Sequence, residues 1–306
     1  MPDLVTVGHL TLDDLVLEDG RVLRATMGGG ALFSAVGAHA WGCTVGIHSS
    51  VGPDYPEEYR RRIEAAGLDL SGVTVGPANS LKLWLLMEGR HRKRQLPKLD
   101  SGTVAELDAG RGPLPERYRT ARGFHIATAL PAAQAQAIRA IREVAPSAVI
   151  TLDIWTESFF DPAPYRDPAF LTGLDVFLPS DKEVEALWSL EDLPGTMRRL
   201  AAQGPHVVAV KCGEQGSYVY DRERGTLWHV PRLDVPATDT TGAGDAYCGG
   251  FLAGMVQTGD ALEGALWGTV SASFAVQGYG AEPGMQVDAS ERQRRLCSLR
   301  PLVREQ

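Results

Sequence analysis

Cysteine is scarce in this chain, and the little there is does not cluster. The four thiols, Cys43, Cys212, Cys248 and Cys297, form no CxxC pair, and none stands near a histidine at ligand spacing. That pattern supports neither a disulfide framework nor a zinc site, and buried or incidental thiols in a reducing compartment are expected. Long hydrophobic runs are missing too. No uninterrupted apolar stretch reaches the length of a bilayer-spanning helix. The opening MPDLVTVGHL has no basic segment ahead of an apolar one, so it does not read as a signal peptide. The expectation is a cytoplasmic protein with no membrane partner. Positive charge is in deficit: 30 Lys and Arg against 38 Asp and Glu leave a net charge of -8 over 306 residues. That balance argues against a nucleic-acid partner, which wants a basic face. It says nothing against a small anionic ligand, which needs only a local positive site.

Three nucleotide-binding fingerprints are absent as well. No GxxxxGK[ST] occurs, which excludes a P-loop. No HRD and DFG set occurs, which excludes the protein-kinase fold. The glycines at 28–30 and at 242–244 each lack the third glycine of GxGxxG, so a dinucleotide site is unsupported.

What is present is an alternation. Short apolar runs at 4–8, 43–51, 123–128, 148–155, 175–179 and 206–213 read as strands covered on both faces. Helical patterns lie between them at 31–41, 56–67, 132–144, 181–188 and 196–204. Strand–helix alternation implies an α/β fold, a mainly parallel sheet with helices on both sides. Two stretches break the rhythm: 12–27, with a turn at Asp19-Gly20, and 80–97, with a turn near Glu88-Gly89. Both read as hairpins with one apolar side. Together they predict a small sheet lying over the strand ends as a lid, on one domain covering 1–306.

The stretch with the clearest chemistry is DTTGAGDAYCGGF, residues 239–251, ahead of a helix expected over 245–257. Glycines at a helix start let backbone N–H groups approach a ligand, and those donors with the helix dipole favour an anion. A carboxylate beside them can take a proton from an attacking hydroxyl. The combination suits phosphoryl transfer, with Gly242, Ala243 and Gly244 holding the moving group and Asp245 orienting or deprotonating the acceptor. Taken alone, GAGD is equally an ordinary helix-capping turn.

The longer pattern adds to this. DTTGAGDAYCGGF resembles the C-terminal signature of the ribokinase-like (PfkB) carbohydrate kinases, and Gly28-Gly29, Ala35, Gly42 and Gly52 fall in register with that family's N-terminal signature. The resemblance runs over essentially the whole chain. It implies a three-layer α/β/α fold with a small β-sheet lid, and ATP with Mg²⁺ as phosphoryl donor. It implies Asp245 as catalytic base and 242–244 as an anion hole for the terminal phosphate. Asp13 matches the acidic residue that bonds acceptor hydroxyls, with Asp14 next to it leaving the register open by one. Gly29 and Gly30 match the backbone against the acceptor. Lys211 and Gly213 match the strand end and turn that meet the nucleotide, and Glu183 matches the glutamate that organises Mg²⁺ through water. Asp239 and Thr241, with backbone from 275–284, match a monovalent-cation loop that would take K⁺. Lid sheets of this kind can also pair two copies into a homodimer.

Three positions depart from the family pattern. Phe33 stands where an Asn bonds substrate, Thr11 replaces another Asn, and Ser180 replaces the Asn of Asn-x-x-Glu. The first two lie on the acceptor side. They suggest an acceptor with fewer hydroxyls there or with a flat face, unless Phe33 is core packing. Ser180 can still cap its helix. The basic run 90–94, RHRKR, reads as a charged guard on an exposed lid edge or as cover for a phosphate-bearing acceptor. Trp84 and Trp155 are candidates for ring stacking or for packing. The implied activity is ATP-dependent phosphorylation of a hydroxyl, a primary one by expectation, on a sugar or sugar-like molecule. A nucleoside kinase and a non-catalytic ligand-binding protein on the same fold are the alternatives.

Overall fold

The apolar runs of the sequence become the interior of a ten-stranded sheet. The computed structural model describes residues 1–87, 93–156 and 161–306. From one edge the strands are Arg304–Glu305, Thr226–Val230, Ser217–Asp221, Val207–Lys211, Val176–Phe177, Val149–Leu152, Gly123–Ile126, Leu4–Val7, Val45–Val51 and Asp69–Val75. The seven from Val207–Lys211 to Asp69–Val75 are parallel, and the other three are antiparallel. Leu4–Val7 lies third from the Asp69–Val75 edge, with Leu4 opposite both Val45 and Gly123.

Both faces of this sheet are covered, and the strand period distributes the core between them. Leu4, Val207 and Ala209 join one apolar cluster, while their neighbours Val5, Val208 and Val210 join another. The first cluster includes residues of the helices Gly30–His39, Ala243–Thr258 and Ala261–Ala275. The second includes residues of Pro131–Val144, Asp181–Leu187 and Leu193–Ala201. This is the expected three-layer α/β/α architecture.

Gly30–His39 and Ala243–Thr258 are buried over most of their length, which explains their lack of a polar face. They touch backbone to backbone. A Cβ on Gly37 would overlap the Ala246 carbonyl, and one on Gly249 would overlap the Ser34 carbonyl. No helix among the described residues is long and apolar enough to cross a membrane.

The two hairpin stretches form a separate four-stranded sheet in the order Val22–Gly28, Thr11–Val16, Leu81–Met87, Lys93–Pro97, whose middle pair is parallel. Its apolar side buries Leu15, Leu81, Leu83 and Leu85. The turn at 19–20 is built as expected: Gly20 has φ of 84° and Asp19 Oδ1 accepts from the Arg21 N–H at 3.0 Å. The Glu88-Gly89 turn and residues 90–92 of the basic run lie outside the described residues.

Two differences from the sequence reading have physical causes. Asp69–Val75 is a strand although Ser71 and Gly72 interrupt its apolar pattern. Gly72 is required because a Cβ there would fall 2.5 Å from the Tyr118 ring, and its N–H donates to the Tyr118 hydroxyl. The strand expected over 148–155 ends at Leu152, which leaves Asp153 just beyond the end of a parallel strand.

Candidate active site

The late glycine turn opens the helix Ala243–Thr258. Gly242 is its N-cap, in the left-handed region with φ of 74°, and no side chain caps the first turn. A helix start without a side-chain cap leaves N–H donors for a ligand. A Cβ on Gly242 would overlap the Phe33 ring. Phe33 is 2% exposed, so what its ring touches is the underside of this turn. Two features thus select glycine here: the positive φ and the ring beneath.

Asp245 lies in the first helical turn and is half-buried. Its carboxylate reaches the start of the other central helix. A Cβ on Gly30 would sit 2.8 Å from Asp245 Oδ1, 3.1 Å from Ala127 Cβ and 3.4 Å from Thr128 Oγ1. Gly29, with φ of 101°, is the N-cap of Gly30–His39, and its missing side chain lets it press on the backbone of His9 and Leu10. Gly28 leaves room in the same way for the Asp13 carboxylate and Thr11 Oγ1.

The register of the acidic pair follows from strand alternation. Asp13 Oδ2 accepts from Thr11 Oγ1 at 2.9 Å and lies beside Gly28. Asp14 turns to the other face, where it accepts from the Ala25 N–H at 2.7 Å and from Lys98 Nζ at 2.8 Å. Asp13 is the one next to the glycine platform.

Lys211 ends the strand Val207–Lys211 and reaches inward. Its Nζ donates to Asp153 Oδ2 and lies 3.5 Å from Cys248 Sγ. A Cβ on Gly244 would be 3.6 Å from this Nζ, so the cation stands beside the glycine turn. Burial works against the ammonium, but Asp153, followed by Cys248 and Glu183, outweighs it and raises the pKa above the ordinary lysine value. Glu183 forms a capping box with Ser180: the Ser180 hydroxyl accepts from the Glu183 N–H at 3.4 Å, and the Glu183 carboxylate accepts from the Ser180 N–H. Ser180 thus keeps the capping part of the missing Asn. Burial, with repulsion from Asp153, pushes Glu183 up to about 7. Gly213 has φ of 54° and nothing within 4 Å of where a Cβ would point, so the turn after Lys211 is open.

Asp239 and Thr241 are buried together. Asp239 Oδ1 accepts from the Thr241 N–H at 2.9 Å and from Thr241 Oγ1 at 2.7 Å, while Oδ2 is buried without a hydrogen-bond partner. The adjoining backbone is tied to Val276, whose carbonyl accepts from the Thr238 N–H at 2.7 Å. Among the described residues no three His, Cys, Asp or Glu side chains gather as a metal-holding set.

Most of the residues singled out in the sequence therefore meet in one place, at the C-terminal ends of the parallel strands, where open α/β sheets take their ligands. Two of the other candidates lie differently: Trp84 takes Lys98 Nζ over its ring at 5.0 Å, and Phe33 faces the turn. Asp153 escaped the sequence reading because it was absorbed into the expected strand 148–155. The available signal was a carboxylate directly after a buried strand.

The pfkB family carbohydrate kinase model matches residues 1–287. A cytidine kinase of Thermococcus kodakarensis is 30% identical over 261 residues, 83% of this chain and 88% of that protein. An ATP-dependent ribose-1-phosphate kinase of Halopiger xanaduensis is 29% identical over 310 residues, 94% of this chain and 97% of that one. In fold, the chain is similar to a putative ribokinase II from E. coli solved with ATP and Mg²⁺, with a TM-score of 0.79, 19% identity, and coverage of 97% of this chain and 100% of the other.

Proposed function

The chain belongs to the pfkB family of carbohydrate kinases, and from that premise we propose that its site transfers the terminal phosphoryl group of ATP to a hydroxyl of a sugar or nucleoside bound over Gly29 and Gly30. The observation that carries the reading is the meeting of two helix starts: the Asp245 carboxylate lies against Gly30 while the Gly242–Gly244 turn caps the same helix as Asp245. A proton acceptor, an anion-binding turn and a side-chain-free platform for the acceptor are thus within a few ångströms of each other.

In the proposed step the acceptor hydroxyl gives its proton to Asp245. Its oxygen attacks the terminal phosphorus, and the bond from that phosphorus to the bridging oxygen breaks, releasing ADP. Amides of the 242–244 turn stabilise the charge on the phosphoryl oxygens. Asp13 and the backbone of Gly29 orient the acceptor, and Lys211, held by Asp153, meets the nucleotide phosphates near Gly213. Asp153 and Glu183 are hard oxygen donors beside Lys211 and suit a hydrated Mg²⁺, which touches protein through one or two carboxylates. When bound, that ion neutralises charge on the nucleotide phosphates. The unpartnered buried oxygen of Asp239 suits a monovalent cation such as K⁺. The small sheet acts as the lid that keeps water from the transferring group.

The acceptor class is bracketed by the relatives, one named for cytidine and one for ribose 1-phosphate. The test is ADP release measured across sugars, sugar phosphates and nucleosides with Mg-ATP. ADP formation that no acceptor accelerates would overturn the reading.

A further inference from the structure

Beside the segment that packs on Gly29, three ionisable side chains are folded against one another. His9 Nε2 lies 3.1 Å from Asp108 Oδ1, and Arg111 donates to the same oxygen through Nη2. Their side chains are 5%, 7% and 9% exposed. Arg111 Nε is buried and has no hydrogen-bond partner.

The fold places this group at the ligand end of the sheet. The helix Val104–Gly110 and the residues after it sit at the ends of two parallel strands, Val45–Val51 and Asp69–Val75. Ser50 Oγ donates to the Leu107 carbonyl, Thr74 Oγ1 donates to that of Gly110 at 2.7 Å, and His48 Nε2 is 3.0 Å from that of Gly112. His9 belongs to the acceptor platform through its backbone, since its carbonyl accepts from the Ala31 N–H and Gly29 presses on it. The cluster is thus tied to the same floor as Asp245.

Burying three ionisable groups costs more than an apolar substitute of the same shape would, and buried donors are nearly always paired. Arg111 keeps one buried N–H without a hydrogen-bond partner, and His9 ties its cluster to the Gly29 platform. The charges around it decide which ligand. Asp108 already neutralises Arg111. His48 is uncharged at neutral pH, because burial and then the Arg111 charge lower its pKa to about 4. Lys98 is held by Asp14, and Lys82 by Asp54 and Asp100. A phosphate group brings acceptors only and would meet the Asp108 carboxylate as a like charge. A heterocyclic base brings donors and acceptors on one planar edge, which a guanidinium–carboxylate pair can match.

We propose that the Asp108–Arg111 pair, oriented by His9, reads the base edge of the acceptor, so that the acceptor is a nucleoside and not a sugar phosphate. This rests on the phosphotransfer reading above, and the test separates the two. Initial rates of ADP release are measured for the full chain with cytidine, uridine, adenosine, ribose and ribose 1-phosphate. Binding of the same compounds without ATP is followed by calorimetry. The variant Arg111→Lys keeps the charge opposite Asp108 and loses the planar fork; Asp108→Asn keeps the shape and loses the carboxylate.

One nucleoside is expected to exceed ribose in kcat/KM by at least about tenfold, and Arg111→Lys is expected to lower its kcat/KM about 10- to 100-fold, mainly through KM. Asp108→Asn should move the same nucleoside-to-ribose ratio, which keeps the test usable if the lysine variant does not fold. A ratio that neither folded variant moves would reduce the cluster to packing and overturn the proposal. Preference for ribose 1-phosphate, lost in Arg111→Lys, would overturn it in favour of an anion subsite. Nucleoside binding that depends on Arg111, with no ADP released for any acceptor, would uphold the subsite while sinking phosphotransfer.

Discussion

Replacing Asp245 by Asn separates a capping residue from a base. The change keeps the shape of the side chain and removes its ability to hold a proton. If Asp245 served only the helix, its worth would be that of an anion in the first turn of a 16-residue helix, about 0.3–1 kcal/mol of folding stability. If it accepts the acceptor's proton, the loss falls on turnover, about 100- to 10,000-fold, or roughly 3–5 kcal/mol on the barrier. The structure adds a second discriminator. Asp245 Oδ1 lies where a Cβ on Gly30 would be only 2.8 Å away, so its carboxylate reaches the start of the neighbouring helix Gly30–His39. The variant should therefore bind acceptor and ATP with little change, unfold in urea within about 1 kcal/mol of the parent, and release ADP at least about 100-fold more slowly at saturation. Turnover within tenfold of the parent would refute the base assignment. A stability loss several times larger, with turnover falling only in proportion to folded protein, would return Asp245 to a structural role.

Four further outcomes follow from the same geometry. Lys211→Met strands the buried Asp153 carboxylate and should cost about 3–5 kcal/mol in urea denaturation; adding Asp153→Asn should recover part of that, and strictly additive losses would contradict the pairing. Asp239→Asn should abolish a rise in ADP-release rate when K⁺ replaces tetramethylammonium, a rise expected in the parent because Asp239 Oδ2 is buried without a hydrogen-bond partner; a parent indifferent to the cation would remove the site. Glu183 holds its proton more tightly when folded, so its contribution to stability falls as pH rises from the ordinary glutamate range to about 7; Glu183→Gln should flatten that part of the stability–pH curve, and parallel curves would count against it. Gly249→Ala drives a methyl group into the Ser34 carbonyl and should cost about 1–3 kcal/mol together with a loss of kcat, whereas a stable and fully active variant would show that the helix contact is slack.

The late turn was legible because it is local: glycine, glycine and carboxylate lie within four residues, although the Phe33 ring that also selects glycine at 242 comes from far along the chain. Gly28 to Gly30 were legible for the same reason. Asp13 and Asp14 could not be separated, because what separates them is remote. Lys98, 84 residues away, claims Asp14, and the glycine at 28 makes room for Asp13. Asp153 was lost in the same way, since its partner Lys211 is 58 residues downstream. The strand Asp69–Val75 was missed because Gly72, which weakens its pattern, is fixed by the Tyr118 ring from another part of the chain.

Phe33 shows how the acceptor side is held together. The family pattern has a polar residue at this position, and a phenyl ring cannot replace its hydrogen bonds. What the ring does is fill the space beneath Gly242, a residue whose missing Cβ lets the ring reach the backbone of the late glycine turn. The ring belongs to Gly30–His39, and the turn starts Ala243–Thr258. The same two helices touch again where Gly37 meets the Ala246 carbonyl and Gly249 meets that of Ser34. Two backbone contacts and the ring beneath Gly242 thus fix one helix against the other. In the proposed reading one start carries the acceptor platform and the other carries the base and the phosphoryl-binding amides. In-line transfer needs its reacting atoms closely placed, and in the proposed reading that placement is set by these close-packed glycine contacts, which deform little, with no titratable group in them. In the proposed reading the polar side chains at 153, 183, 211 and 245 are then left to the chemistry, and the acceptor can differ between relatives without disturbing the distance over which the phosphoryl group moves.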